Sequence, residues 1–238
     1  MIGRWFVPLA SRSLATILVL LCQFGVFPLL PVTVQAEDAS GVRSLRTIPL
    51  TQLRSIFPTD VQILIERNAI EAFLIELDRV PPDWATVYGQ GHNDPGHDER
   101  LFNLNRERDA LRDGNPAFTR RVAFVWTGEL SRFDLETQAY GVAIGPDFNA
   151  TSWGLVRFKP EEFPGDLRVR PDKTLADQIK RSFSKQEKVQ VFVVMAGKLI
   201  PNESIIYDFS HDEEGAGLIM PVVRVDQVEV LVKDQPGP

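Results

Sequence analysis

Cysteine occurs once in the 238 residues, as Cys22, and histidine three times. Cys22 falls in an N-terminal stretch with the form of a secretory signal. Arg4 and Arg12 supply positive charge, Leu14 to Leu30 an apolar run, and Val34-Gln35-Ala36 the small-residue pattern that precedes cleavage before Glu37. The run is just short of a comfortable membrane span, and Pro28 and Pro31 disturb its end, so cleavage is expected rather than retention as an anchor. A mature chain of residues 37–238 then contains no cysteine. Disulfide bracing, a thiol nucleophile and thiolate metal sites are excluded, and stability must come from an apolar core. The expected location is secreted or periplasmic, with no transmembrane segment once the signal is removed.

Excess positive charge is also lacking. Loss of Arg4 and Arg12 leaves 24 Lys and Arg against 32 Asp and Glu, which moves the formal net charge from −6 to −8. That balance argues against a nucleic-acid partner, which needs a clustered basic surface. The arginines of 100–121 (Arg100, Arg106, Arg108, Arg112, Arg120, Arg121) alternate with Glu99, Glu107, Asp109 and Asp113. This reads as a solvated helix face carrying ion pairs three and four residues apart. Also absent are the Gly-x-Ser-x-Gly elbow, the phosphate-binding Gly-x-x-x-x-Gly-Lys loop and the dinucleotide fingerprint.

The patterns that are present predict an α+β fold: N-terminal helices followed by a mainly antiparallel β-sheet with one further helix. Residues 37–47 read as a flexible segment leading into a single domain over 48–238. A capping-box pattern, Thr59 to Gln62, opens a helix expected from Asp60 to Asp78 and stopped by Pro81-Pro82. A loop rich in Pro, Gly, Asn and Asp follows, then a helix from Asp98 to Arg112 with Leu101, Leu104 and Leu111 on one side. Strands are expected at 122–130, 139–144, 154–158, 189–199, 204–209 and 218–232, with a helix over 175–184 starting at Thr174. Val223, Val225, Val228, Val230 and Val232 are read as lying on two strand faces, with a bulge near Asp226-Gln227. Val122 to Leu130 and Val191 to Leu199 echo each other: an apolar run, then Gly, a charge and Leu. Two similar strands explain this more simply than a repeat.

Candidate chemistry concentrates in two acidic loops. Gly91 to Glu99 holds His92 and His97 beside Asp94, Asp98 and Glu99, and Ser210 to Glu214 holds His211 beside three carboxylates. If the loops meet, His92, His97 and His211, with Asp98, make a site for one divalent, zinc-like ion with a position open for water. The same carboxylates are hard donors suited to calcium, but they lack the ordered spacing of a calcium loop. Trp84, Tyr88 and Trp153 lie in or beside loops, where an aromatic face can stack on a sugar ring. The leading reading is a non-catalytic binding or interaction domain, an envelope accessory without a cofactor whose partner is an envelope protein or a polysaccharide. The alternatives are a metal-dependent hydrolase using the histidines, with Asp98 or Glu99 as base, and a carbohydrate or peptidoglycan binder using the aromatic trio.

Overall fold

A computed structural model describes residues 41–90, 94–203, 205–209 and 217–233. Its core is a closed barrel. Six strands follow one another around it: β1 (Val42–Arg46), β8 (Arg168–Pro171), β4 (Ala139–Ile144), β3 (Arg121–Asp134), β9 (Gln190–Leu199) and β12 (Val222–Val232). β12 returns to β1 through the parallel pairs Leu45 with Val230 and Arg46 with Leu231. β1 also pairs parallel with β8, and the other four contacts around the barrel are antiparallel. Two short strands are added to it in parallel: β2 (Val61–Ile63) on the start of β3, and β7 (Lys159–Pro160) on the start of β12.

This mixed barrel corrects the expectation of N-terminal helices followed by a mainly antiparallel sheet. The chain enters through a strand, and its helices are inserted between strands. Residues 42–46, expected to be flexible, supply the strand that closes the barrel. Alternation is too weak over five residues to show this, because the ladder partners lie more than 100 residues away. Val61 to Ile63 pair with β3 instead of continuing a helix, and the Leu64 amide donates to the Ala123 carbonyl (2.8 Å). Helix α1 therefore spans only Arg67–Asp78, and its N-cap, Glu66, makes no side-chain cap bond. A β-branched run beside an open strand overrode the capping pattern.

Alternate residues of β3 and β9 fill the barrel: Val122, Phe124, Trp126 and Leu130 with Val191, Val193 and Met195. Their opposite faces, including Ala123, Val194 and Ala196, pack under Leu53, Phe57 and Val61. Both faces are thus covered, which explains the nearly continuous apolar runs. The register of β12 against β9 shifts between Val225 and Gln227. That bulge adds one residue and restores the alternation, so all five C-terminal valines join one core rather than two faces. The two echoed segments are neighbouring strands in which each glycine opposes the other's first valine, Val122 with Gly197 and Gly128 with Val191. A Cβ on Gly197 would collide with the Arg224 carbonyl at the bulge, and one on Gly128 would sit 2.9 Å from the Ala143 carbonyl. Close backbone approach accounts for the shared glycine.

A second sheet runs in the order β10 (Ile206–Phe209), β11 (Gly217–Met220), β6 (Gly154–Val156), β5 (Asn149–Thr151). The stretch expected as one strand over 218–232 therefore divides at Pro221 between two sheets. Helices cover both edges of this second sheet. Beside β10, the Asn105 side chain of α3 (His97–Arg112) imitates a neighbouring strand: its amide accepts from the Tyr207 N–H and donates to the Tyr207 carbonyl, both at 3.0 Å. Beyond β5, the Ser152 amide donates to Glu71 of α1 (2.6 Å). Unpaired strand edges invite aggregation; the Asn105 side chain occupies that of β10, and α1 lies beside β5. Helix α4 (Lys173–Ser184) starts two residues earlier than expected, because Asp172 rather than Thr174 is its N-cap, the Asp172 carboxylate accepting from the Leu175 amide (2.8 Å). It adds Leu175 and Ile179 to the core.

Leu45 on the closing strand is 3 % exposed. Leu45→Ala should lower unfolding free energy by about 2–5 kcal/mol in denaturant titration, the range for truncating a core leucine. A flexible segment would give no change.

Candidate functional site

The expected apolar side of α3 is only partly realised. Leu101 and Leu104 pack against the core, but Leu111 is 67 % exposed, while Arg108 and Arg112 are buried. Arg112 grips Asp78, the last residue of α1, with two bonds: Nε to Oδ1 at 2.6 Å and Nη2 to Oδ2 at 2.7 Å. Its Nη1 donates to the Ile205 carbonyl and to Asp109, each at 3.1 Å. The Tyr207 hydroxyl donates to Asp78, and the Arg112 guanidinium lies 5.2 Å from the centre of that ring. Arg108 donates to the carbonyls of Asp78 (3.0 Å) and Val80 (2.7 Å). Two arginines read as solvated thus tie α1, α3 and β10 together.

Burial alone disfavours a charged Arg112, but the hydrogen bonds and charge of Asp78 more than offset it, and the guanidinium pKa is raised. Burial, then the Asp78 charge, also pushes the Tyr207 hydroxyl well above the ordinary tyrosine range. Neither group exchanges a proton near neutrality. Helical spacing places Arg108 and Arg112 four residues apart, the same spacing as a surface pair; burial was decided by where Asp78 ends its helix.

Past this cluster the chain turns through Asp113, Gly114, Asn115 and Pro116, and two grooves share that turn as a wall. The smaller, 350 Å³, is lined by residues 76–79, Leu111 and the turn. The larger, 700 Å³, is bounded by the turn, Asp109, Phe118, Thr119, Pro201 and Asn202. Asn115 stiffens the turn by donating to the Glu76 carbonyl (3.1 Å) and accepting from the Ala117 amide (2.9 Å).

Of the proposed metal ligands, His92 and His211 lie outside the described residues. His97, at the start of α3, donates from Nδ1 to the Asp94 carbonyl (2.8 Å), and its Nε2 sits 3.1 Å from the Asp98 carboxylate. A metal ion there would displace one of these contacts. No group of three metal-ligating side chains occurs among the described residues. The loop before His97 is clamped by Asp94, which accepts from the amides of Gly96 (3.0 Å) and Gln90 (3.1 Å) and from Arg100 (2.9 Å).

The aromatic trio is not a shared platform. Trp153 is 2 % exposed and offers no stacking face. Trp84 is half-buried; its indole N–H donates to the Trp153 carbonyl (2.6 Å), and its ring lies so close to Gly217 that a Cβ there would collide with it. Tyr88 packs edge-on against Phe209, with centroids 5.2 Å apart. Trp84 and Tyr88 anchor the second sheet under the short helix α2 (Trp84–Tyr88).

The architecture is that of a closed mixed β-barrel with an edge-capped second sheet. No family model matches the chain, and comparison with curated proteins and with solved structures finds no match.

Asp78→Ala should lower stability by about 3–5 kcal/mol, because it strands a buried guanidinium. Replacing Asp78 and Arg112 together with apolar residues should cost much less than the sum of the single changes, as a double-mutant cycle by calorimetry will read.

The Gly96 amide, then Arg100 and the Gln90 amide, hold the Asp94 carboxyl at about 2. A depressed folded pKa adds stability that is fully present above the unfolded value, about 3.9. This contribution is lost as pH falls through about 2. Carboxyl NMR titration should show Asp94 titrating near 2, moving upward in Arg100→Gln.

Proposed function

We propose that the protein is a non-catalytic binding domain working outside the cytoplasm, in the envelope or beyond it, and that it holds a hydroxyl-rich glycan in the larger groove. The observation that carries this reading is the saturation of the buried ionisable groups behind that groove. Both oxygens of Asp78 are engaged, Arg112 is held on three nitrogens, and the Tyr207 hydroxyl is committed to Asp78. Such a cluster gives a rigid wall and no acid, base or nucleophile, since catalytic groups need a free proton or lone pair facing substrate. Amide, hydroxyl and carboxylate groups from Asn202, Thr119 and Asp113, lining one groove with the rings of Pro116 and Pro201, suit a ligand with many hydroxyls. Location outside the cytoplasm rests on the N-terminal signal pattern. No helix among the described residues is long and apolar enough to cross a membrane.

Retention on insoluble peptidoglycan and on a panel of polysaccharides tests the reading. Asn202→Ala should weaken retention by about three- to tenfold, the worth of one hydrogen bond, with the melting temperature unchanged. Equal retention by the variant, or none by the wild type, would remove the glycan. One equivalent of zinc in the purified protein, lost in His97→Ala, would instead install the metal-dependent hydrolase.

A further inference from the structure

We infer that the larger groove selects glycans whose sugar rings carry free, protonated amino groups. This rests on the glycan reading and names its ligand class from the charges that line the groove. Three ionisable side chains do so among the described residues: Asp109, Arg112 and Asp113. Arg112 is the one cation of the three, and its side chain is only 4 % exposed. All its nitrogens are engaged, Nε and Nη2 on Asp78 and Nη1 on Asp109 and the Ile205 carbonyl. A sulfate, phosphate or uronate on a ligand would therefore meet two carboxylates and find no cation able to turn toward it. Acidic glycans are rejected by like charge, and neutral ones leave the anionic wall unused.

Asp113 is the carboxylate left over. Asp78 and Asp109 are bound to Arg112, and Glu76 to Arg120. Asp113 is exposed and makes no side-chain hydrogen bond or ion pair among the described residues. Cations on the adjoining segments are directed elsewhere. Arg120 lies on Glu76, a wall residue of the smaller groove, and Arg121 on Asp226. Lys198 stands opposite Arg121 in the β3–β9 ladder and does not line the groove. The residue after Asn202 is a further exposed carboxylate, Glu203. An ammonium group supplies what this arrangement lacks, one positive charge with three donors and no acceptor, to meet the Asp113 carboxylate. Asn202 and Thr119 then serve the ring hydroxyls. The formal net charge of −6 adds a field that draws cationic ligands toward the protein.

Isothermal titration of the full protein with a β-1,4-linked glucosamine tetramer and with its fully N-acetylated counterpart tests this. The amino tetramer should bind about fivefold or more tighter, between the worth of an exposed ion pair and that of a charge-assisted hydrogen bond. The difference should shrink as salt is raised. Asp113→Asn should abolish the preference while changing affinity for the acetylated tetramer by less than about twofold, because the amide keeps the size and one acceptor. Glu136→Gln removes an exposed negative charge beyond the far end of β3 and should leave the preference intact. That control separates a groove site from general attraction of a cation to an acidic protein. Unchanged circular dichroism melts show that both variants fold. Equal or weaker binding of the amino tetramer, a preference that survives Asp113→Asn, or one lost equally in Glu136→Gln would overturn the inference and leave the glycan reading standing. Binding of neither tetramer overturns it too: with retention on the polysaccharide panel the glycan reading stands, and without it both fall.

Discussion

The ion pair between Asp78 and Arg112 is the constraint on which the helical side of this protein depends. It joins the last residue of α1 to the last residue of α3 and, through Tyr207 and the Ile205 carbonyl, to the edge strand β10. Charges this deeply buried contribute little net stability, because desolvation offsets most of the attraction. Their effect lies in what they forbid. Any arrangement that separates α1 from α3 leaves a carboxylate or a guanidinium without a partner in an apolar setting. The groove walls at the 113–116 turn inherit their positions from that requirement.

The barrel solves a different problem. A sheet with apolar side chains on both faces cannot be left with open edges, and closure of β12 onto β1 removes them. Interior space is filled by Phe124, Trp126, Val193 and Met195, so the barrel is a packed core rather than a ligand cavity. The second sheet is not closed and uses the alternative remedy, the Asn105 side chain of α3 along β10 and α1 beside β5. The two grooves lie outside the barrel, at the helix ends and the 113–116 turn.

Much of the local structure was legible in the residues. Gly114 and Pro116 stop α3 where they were expected to, and the bulge near Asp226 was visible as a break in the valine alternation. The valines' sharing of one face was not legible, because a bulge changes parity and the sequence does not say which residue is extra. The strand at 42–46 escaped notice for want of pattern, and the strand at 61–63 was hidden under a helix signal. Of the candidate site, the histidine and tryptophan residues stood out by type, whereas the grooves are built from Asp, Asn, Pro and Thr in a turn with no distinguishing motif. Arg108 and Arg112 were visible as charges but not as buried ones.

The sequence by itself determined the N-terminal signal pattern, the single cysteine that falls within it, the acidic balance, and the positions of α3, α4 and most strands. Those properties depend on composition and on contacts between near neighbours. Tertiary structure alone decided closure of the barrel, division of the C-terminal strand between two sheets, and conversion of Arg112 from a surface charge into an internal strut. Each of these depends on a partner far away in the chain, Val230 for Leu45, Leu155 for Leu218 and Asp78 for Arg112, and no local pattern encodes which distant residue will be met.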